Sequence, residues 1–304
     1  MIGPIYGMPA AHWRQRTADR QNMTPYADLH LHTNHSDGSD RPGRVVERAA
    51  AMGFSAVAIA DHDTVTGVPE AHNRAHALGM AFLTGVEISA SFGHVEVHVL
   101  GLGLAIENVD LREGLEAQRE ARSRRIDQII DELKRCGIEI SRDEIEAPLA
   151  GGGALGRVHI ARALKDRGIT KTVQEGFDRY IRSGRKAFVP KAAMPCSEAI
   201  DLIHRAGGLA FLAHPGVGSA VPKLISRLLK MPFDGLEAFH TKHTPAQTKV
   251  LLQLAEEHGL LVSGGSDCHG TATKKESDMG TVRLPMEYFE QILKALARNQ
   301  ACKG

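Results

Sequence analysis

Short apolar runs alternate with amphipathic runs in two separate parts of the chain. From residue 26 to residue 104, strand-like and helix-like runs follow one another, as in YADLHLH, VVERAAAMG, FSAVAIADH and PEAHNRAHALG. The alternation returns after Pro190, as in SEAIDLIHRAG, GLAFLAHP and VPKLISRLLK. Strands that alternate with helices predict βαβ units and a parallel sheet. We therefore expect both parts to belong to one α/β sheet or barrel.

Residues 105–189, between these parts, have a different pattern. Their first run is rich in charge and predicts one or two long helices, and shorter helical pieces follow. We interpret this region as a helical insertion, or cap domain, within a discontinuous barrel domain of residues 24–104 and 190–300. Residues 1–23 lack an apolar period and are expected to form an N-terminal extension.

The composition of the 304-residue chain is typical of a globular protein. Its hydrophobic content is 42%, and 37 Lys and Arg residues balance 36 Asp and Glu residues. This balance argues against nonspecific binding to nucleic acid or a membrane, so an anionic ligand must be bound by a local cluster. The cysteines lie far apart without CxxC spacing, which favours free thiols and a cytoplasmic protein. They are Cys136, Cys196, Cys268 and Cys302.

Histidines and carboxylates follow one predicted strand after another. His30 and His32 in ADLHLHTNHSDGSD share one face of the first strand, because strand side chains repeat every two residues. Further candidates lie at or near the ends of the later strands: Asp37, Asp61, His62, Asp63, Glu87, His94, Glu96, His98, His214, Glu237, His240, Asp267 and His269. The carboxyl ends of parallel strands are where α/β folds assemble their active sites.

A metal cluster accounts for these residues together. A single histidine is most often a hydrogen-bonded structural residue, but a dozen polar groups at successive strand ends would be costly to bury unpaired. Imidazole and carboxylate ligands without thiolate suit Zn²⁺, Mn²⁺ or Fe, and they do not decide among these metals. A Ser/His hydrolase built on Ser36, Ser39 or Ser266 is the alternative, but no GxSxG sequence supports it.

The series of motifs resembles the PHP (polymerase and histidinol phosphatase) family of metal-dependent phosphoesterases. The matching motifs occur in family order: DLHLHTNHSDG (28–38), AIADHD (58–63), GVEIS (85–89), HVLGL (98–102), AHP (213–215) and GGSDCHG (264–270). The resemblance implies an α/β fold, a distorted (β/α)₇ TIM-like barrel with the helical cap inserted. It also implies two to three divalent metal ions, with Mn²⁺ as the first expectation and Zn²⁺ or Fe as alternatives.

The resemblance also implies a role for each motif residue. One metal would be bound by His30, His32, Glu87 and Asp267; Glu87 would bridge to a second metal held by His98 and His214; Asp37, His62 and His269 would hold a third. Family members differ between Asp and His at the position of Asp37. Asp28 and Asp61 are expected to orient imidazoles, and Cys268 is expected to be structural.

Phosphate ester hydrolysis by a metal-bridged hydroxide follows from such a cluster, and it needs no protein nucleophile. His240 is the catalytic candidate among the side chains, as a proton donor to the leaving group, and a metal-bound water is the alternative donor.

Basic residues of the insertion are candidates for binding a substrate phosphate, because arginine offers a bidentate fork and lysine a point charge. The predicted substrate-binding residues are Arg157, His159, Arg182, Arg185 and Lys186. By contrast, four residues of the long helix are expected to be solvated: Arg124, Arg125, Lys134 and Arg135. The segment GGGALGR, residues 151–157, predicts a flexible joint rather than a phosphate cradle, because no GKS or GKT sequence follows it.

The insertion resembles the cap of a PHP subgroup that removes the 3′-phosphate of nucleoside 3′,5′-bisphosphates or trims short RNA from its 5′ end. That subgroup has a Ser-Arg-x-His segment where this chain has Gly156 before Arg157, which weakens the inference of an identical substrate. The favoured function is therefore a nucleotide phosphatase. The alternatives are a 5′-3′ exonuclease on short RNA or DNA and a non-catalytic scaffold, which would lack metal ligands.

The expected partner is a small nucleotide or a short oligonucleotide. With nine Phe, four Tyr and one Trp, aromatic platforms for stacking the bases of a long strand are scarce. No membrane, no long duplex nucleic acid and no obligate protein partner is indicated by the sequence. Histidinol phosphate phosphatase activity ranks lower, because that branch of the superfamily does not usually carry such a cap.

Overall fold

A computed structural model of the protein describes residues 5–6, 25–149, 154–190, 194–217, 222–270 and 279–301. Most of the N-terminal extension, the glycine triplet of residues 151–153 and Cys302 lie outside the described residues. In the described part of the chain, no helix is long and apolar enough to cross a membrane.

The described strands and helices follow the alternation predicted from the sequence. The strands are β1 (Ile5–Tyr6), β2 (Tyr26–Leu31), β3 (Ala56–Ile59), β4 (Ala81–Phe92), β5 (Val95–Leu102), β6 (Met194–Pro195), β7 (Leu209–Leu212), β8 (Gly235–His240), β9 (Leu261–Gly265) and β10 (Leu284–Pro285). The α-helices are α1 (Pro42–Ala51), α2 (Val68–Leu78), α3 (Val109–Arg135), α4 (Arg142–Glu146), α5 (Arg157–Asp166), α6 (Val173–Gly176), α7 (Cys196–Arg205), α8 (Pro222–Leu228), α9 (Pro245–His258) and α10 (Met286–Ala301). A π-helix, Phe177–Ile181, continues α6.

The strands form one nearly closed, barrel-shaped sheet. Its order is β10-β2-β3-β4-β5-β7-β8-β9, and the short strands β1 and β6 pair with β4. β2 meets the segment after β9, where the Asp267 N–H donates to the His30 carbonyl at 2.9 Å and the His32 N–H donates to the Cys268 carbonyl at 3.0 Å. The expected α/β fold is therefore confirmed, and its first and last parts form a single sheet.

One strand departs from the parallel pattern. β5 is antiparallel to both of its neighbours, β4 and β7, whereas β2-β3-β4 and β7-β8-β9 are parallel. The connection from β4 to β5 is a two-residue turn of Gly93 and His94. So short a connection can only join antiparallel strands, and Gly93 supplies the positive φ of 63° that the turn requires.

Alternate strand residues point into separate apolar clusters. One cluster combines Leu29, Leu83 and Phe211 with residues of α10, and another packs residues of α1, α2 and α7 against the sheet. A third cluster lies entirely within the insertion and includes Ile129, Leu164 and their neighbours. The insertion thus has an apolar core of its own.

Helix α3 extends over 27 residues, from Leu111 and Leu115 in the apolar cluster of the sheet to Ile126 and Ile129 in the cluster of the insertion. Asn108 caps its N-terminus by accepting the Leu111 N–H at 2.9 Å. Its buried residues recur every three or four positions and include two polar side chains, Gln118 and Arg125. Gln118 donates to the Ser89 carbonyl of β4, whereas Arg125 donates to the Val189 carbonyl.

Candidate metal centre

The carboxylate of Glu87 lies at the centre of the strand ends, surrounded by five imidazoles. Its Oε1 is 2.6 Å from His98 Nδ1 and 2.9 Å from His214 Nε2; its Oε2 is 3.0 Å from His62 Nδ1, 3.2 Å from His30 Nε2 and 3.3 Å from His32 Nε2. Glu87 itself is almost fully buried. The side chains therefore come from five strand ends and meet around one carboxylate.

Two aspartates extend this cluster on either side of His32. Asp267 Oδ1 lies 3.2 Å from His32 Nε2, and Asp37 Oδ1 lies 3.1 Å from His269 Nε2. The second oxygen of Asp37 is 3.9 Å from His62 Nε2. The structure thus brings together all nine residues that the resemblance predicts as metal ligands.

Several overlapping groups within the cluster have ligand atoms close enough to share an ion. They are His32, Asp37, His62 and His269; His30, Glu87 and His214; His30, His32 and Asp267; and His62, Glu87 and His98. The groups overlap at His30, His32, His62 and Glu87, and of these only Glu87 has two oxygens with which it could serve two ions. This arrangement suits divalent cations and does not identify the metal.

Hydrogen bonding leaves several atoms of the cluster unsatisfied. The buried atoms without a hydrogen-bond partner include His30 Nε2, both ring nitrogens of His32, Asp37 Oδ1, His62 Nδ1 and Glu87 Oε2. Buried polar atoms are normally hydrogen-bonded, so several unpaired atoms at one place indicate a site that binds a ligand. Imidazole nitrogens and carboxylate oxygens are donors that bind divalent metals, and the side chains present therefore fit such ions.

The electrostatics of the cluster agree with this fit. Burial alone would raise the pKa of Glu87, but the imidazoles of His62, His98 and His30 hold that pKa well below its ordinary value. Burial likewise opposes protonation of His32, yet Asp267 and Glu87 raise its pKa to about 9. Ionised carboxylates thus favour positive charge on His32 and His30, whereas burial lowers the pKa of His62 to about 3 and also lowers the pKa of His214. A cation can replace these protons.

Glu237 of β8 orients His30, a role that the sequence did not reveal. Its Oε1 is 3.0 Å from His30 Nδ1, and its Oε2 accepts the His214 N–H at 2.8 Å. Because Nδ1 is engaged by Glu237, the Nε2 of His30 is directed at Glu87. The sequence placed Glu237 near a strand end, but a contact between residues this far apart leaves no local signal.

Asp28 and Asp61 position loops rather than imidazole rings, contrary to the sequence prediction. Asp28 accepts the N–H groups of Ser266 at 3.0 Å and of His30 at 3.3 Å. Asp61 accepts hydrogen bonds from the Thr33 N–H, the Thr33 hydroxyl and the Ser36 hydroxyl. Cys268 is buried in the core, as predicted for a structural residue.

The backbone is strained or tightly packed at several points of the centre. Among the described residues, the non-glycine residues with positive φ are Asp63 at 52°, His214 at 30° and Asp267 at 54°. Such conformations persist where the surrounding structure enforces them, and they concentrate at functional sites. At Gly265, a Cβ atom would lie 2.4 Å from the Cβ of His30, so only glycine permits this approach of β9 to β2.

A pocket of about 180 Å³ is lined by candidate metal ligands and by residues of the insertion. One wall includes Asp37, His62 and His98. The opposite wall belongs to the insertion and consists of Arg122, Arg125, Ile126, Ala154, Leu155, Gly156, Arg157, Val158 and Phe177. Candidate metal ligands and basic side chains thus line the same pocket.

Arg157 is the predicted substrate-binding residue that lines this pocket, with its guanidinium 5.9 Å from the ring centre of Phe177. His159 is buried, and its Nδ1 accepts the Gly156 N–H at 3.0 Å. Arg182 is exposed and pairs with Asp178 at 2.9 Å. Arg185 and Lys186 are exposed. The structure does not bring these four residues to the pocket wall.

Arg125 is buried, so the expectation of a solvated side chain is wrong for this residue. Its Nε and Nη2 donate to the Val189 carbonyl at 2.9 and 2.8 Å. Burial, and then the neighbouring charge of Arg157, lowers the pKa of Arg125 to about 10. Arg124, Lys134 and Arg135 are exposed, as expected.

His240 lies at the edge of the cluster, beside Asp267. Its Nε2 is 3.5 Å from Asp267 Oδ2, and its Nδ1 accepts the Lys242 N–H at 3.1 Å. The side chain has no exposed surface, and His240 lines a different cavity of about 750 Å³ beside α9. His240 thus contacts Asp267 and does not line the pocket that the insertion lines.

The fold and this cluster define a metal-dependent phosphoesterase. The PHP domain family matches residues 28–294, and the chain belongs to this family. The family expected from the motifs is therefore confirmed, and the protein is a hydrolase of phosphate esters.

Curated relatives match most of this chain and most of their own length. The 5′-3′ exoribonuclease of Haemophilus influenzae is 36% identical over 251 residues, covering 81% of this chain and 91% of the relative. The 3′,5′-nucleoside bisphosphate phosphatase of Chromobacterium violaceum is 35% identical, covering 80% and 86%. A phosphoribosyl 1,2-cyclic phosphate 1,2-diphosphodiesterase of Eggerthella lenta is 31% identical, covering 80% and 94%.

Solved structures of the same fold include a candidate metal-dependent phosphoesterase of Bifidobacterium adolescentis. It superposes with a TM-score of 0.81 at 31% identity, covering 90% of this chain and 96% of its own. An amidohydrolase of Chromobacterium violaceum, solved with bound sulfate and no metal, has a TM-score of 0.80 at 31% identity with the same coverage.

Proposed function

We propose that the protein hydrolyses the 3′-phosphate of nucleoside 3′,5′-bisphosphates. The observation that carries this proposal is the pocket of about 180 Å³ between the metal-binding side chains and the arginine-bearing wall of the insertion. A substrate with two phosphates could place one against each wall. The small volume of the pocket suits a compact phosphorylated group better than a long nucleic-acid strand.

The nine clustered residues would hold two to three divalent cations, with Mn²⁺ as the first choice and Zn²⁺ or Fe as alternatives. When bound, such cations lower the pKa of water and neutralise charge on phosphoryl oxygens. Glu87 would hold the imidazoles together, and Glu237 would keep His30 in its ligand orientation. We assign His240 to the support of Asp267 rather than to proton donation, since its ring is fully buried.

Arg157 is our candidate for binding the second phosphate. Its side chain lines the pocket and remains 28% exposed, with Glu96 Oε2 at the limit of an ion pair, 4.0 Å away. Arg125 is less available, because its guanidinium already donates twice to a carbonyl.

We further propose that residues 105–189 act as the cap of a distorted (β/α)₇ barrel formed by residues 24–104 and 190–300. The separate apolar cluster of the insertion supports this division. The seven strands β2, β3, β4, β5, β7, β8 and β9 would be the barrel strands, with β5 reversed. Arg157 and the wall around it would then be contributed by the cap.

The test compares two nucleotides on protein that has been stripped of metal and reloaded with Mn²⁺. Adenosine 3′,5′-bisphosphate should yield phosphate and 5′-AMP, and adenosine 3′-phosphate should react with a higher KM because it lacks the second phosphate. Arg157→Ala should raise KM for the bisphosphate and change that for the monophosphate little. Arg182→Ala is the matched control. No phosphate release from the bisphosphate by the native protein would refute the proposal.

A 5′-3′ exonuclease acting on short RNA is the second candidate. The H. influenzae relative with that name matches this chain as well as the bisphosphate phosphatase does. Stepwise release of mononucleotides from a short 5′-phosphorylated RNA, with the bisphosphate left intact, would favour it. Chromatography of both reactions separates the two activities.

A further inference from the structure

We propose that Arg122 of α3 is a positioning residue that couples the insertion to one part of the metal centre. It fastens the insertion to the two chain segments that carry His62 and Glu87, so metal binding at His62 depends on it. This inference rests on the metal centre of the proposed function, and it adds a residue that neither the motifs nor the ligand geometry includes.

Arg122 joins three segments of the chain through one guanidinium. Its Nε donates to the carboxylate of Asp63, its Nη2 donates to Ser89 Oγ at 2.6 Å, and its Nη1 donates to the Leu155 carbonyl at 3.3 Å. The side chain is only 13% exposed. Because the guanidinium is planar and rigid, three bonds in different directions fix the positions of all three partners.

Asp63 transmits this contact to His62, its neighbour in the chain. Asp63 is fully buried and has a φ of 52°. Its N–H donates to the Glu87 carbonyl at 3.0 Å, and its Oδ1 accepts the Ser89 N–H at 2.7 Å. Arg122 binds the other carboxylate oxygen. Removing the Arg122 guanidinium would leave the buried Asp63 carboxylate without its ion-pair partner. Asp63 is a strained residue that holds His62 beside Glu87.

A second contact shows that α3 is aligned on these strand ends. Gln118, one helical turn before Arg122, donates to the Ser89 carbonyl at 2.8 Å. Gln118 reaches the end of β4, whereas Arg122 also reaches the segment after β3. Arg122 therefore connects the insertion to the segment that contains His62.

The overlapping ligand groups make the effect selective. His62 belongs to the group with His32, Asp37 and His269 and to the group with Glu87 and His98. The group of His30, His32 and Asp267 does not include it. Loss of Arg122 should therefore weaken the ion held by His62 and spare the ion held by that group. Loss of a residue that orients a metal ligand typically lowers metal affinity by about 10–100-fold.

The experiment measures Mn²⁺ binding by titration calorimetry and metal content by mass spectrometry after desalting, with the complete chain. Arg122→Ala should lose about 10–100-fold in affinity for one Mn²⁺ and keep native affinity for the remainder. Arg122→Lys should recover part of the loss, because lysine can reach Asp63 as a point charge but cannot bind three partners. Arg124→Ala is the control, since Arg124 lies on the same helix with a side chain that is 67% exposed.

Native affinity at every site in Arg122→Ala, or parallel weakening of all sites, would overturn the inference in favour of no role or a general structural role. If circular dichroism shows that Arg122→Ala is unfolded, Asp63→Asn breaks the same pair from the other side and should show the same selective loss. Native protein that binds no Mn²⁺ would instead refute the metal centre of the proposed function.

Discussion

Glu237 and Glu87 contact opposite nitrogens of the same ring: His30 Nδ1 lies 3.0 Å from Glu237, and His30 Nε2 lies 3.2 Å from Glu87. Both carboxylates are fully or almost fully buried. The pair fixes the plane of the imidazole and raises the pKa of His30 well above its ordinary value, although burial opposes this. A cation beside Nε2 would therefore compete with a proton.

Glu237→Gln should lower Mn²⁺ affinity about 10–100-fold, because an amide cannot supply the charge that makes His30 a strong ligand. Titration calorimetry measures the affinity, and kcat should fall in parallel with metal occupancy. Glu257→Gln, at an exposed position of α9, is the control. Native affinity in Glu237→Gln would show that the carboxylate does not support the metal centre.

Gly265→Ala should destabilise the protein and disturb the metal centre together. The added methyl group would lie 2.4 Å from the Cβ of His30 and 2.5 Å from its backbone nitrogen, so β9 must move away from β2. Overpacking of this kind costs about 1–3 kcal/mol. Thermal denaturation should show a lower Tm than in Gly156→Ala, where the nearest atom is 3.5 Å from the added carbon. Equal Tm values would contradict the proposed steric conflict.

Mn²⁺ should raise the Tm of the native protein, because a ligand that binds only the folded state stabilises it by about 2.7 kcal/mol at 100 times its Kd. The increase should largely disappear in Glu87→Gln, since Glu87 contacts five imidazoles. Melting curves with and without Mn²⁺ measure the difference. An unchanged Mn²⁺ effect in Glu87→Gln would exclude the carboxylate as the central ligand.

His159 should make the metal-free protein sensitive to acid. Burial lowers the pKa of His159, so the unfolded chain takes up this proton before the folded protein does. The stabilisation is therefore present above the unfolded pKa of about 6.5 and is lost as the pH falls below it. His159→Asn keeps an acceptor for the Gly156 N–H and does not titrate. Its Tm should fall less steeply between pH 7 and pH 5, and parallel curves would contradict this role for His159.

The nine candidate ligands that the sequence indicated lie together in the structure, and their signals in the sequence are local. His30 and His32 repeat with the strand period, and the others follow short apolar runs that end in glycine-rich loops. The β4–β5 hairpin was missed, although Gly93 marked its turn. Period and polarity identify a strand but do not set its direction.

The supporting residues could not be read from the sequence. Glu237 lies 207 positions from His30, and Arg122 lies 59 positions from Asp63. The prediction relied on basic residues near glycines in the insertion, yet Arg182 and Arg185 do not line the pocket, whereas Arg122 does. Which face of a helix meets a neighbouring domain depends on tertiary packing, which no local pattern records.

The closure of the sheet has a consequence for biosynthesis. Asp28 of β2 accepts a hydrogen bond from the Ser266 N–H, 238 positions later, and His32 contacts Asp267 at the same place in the sheet. A ribosome-bound chain that has emerged only through the insertion holds most of the imidazoles but lacks the partners that complete the cluster. Contacts between such distant residues form late and slowly. Only a completed chain should therefore bind its full complement of metal, and truncated translation products should contain less bound metal than the complete protein.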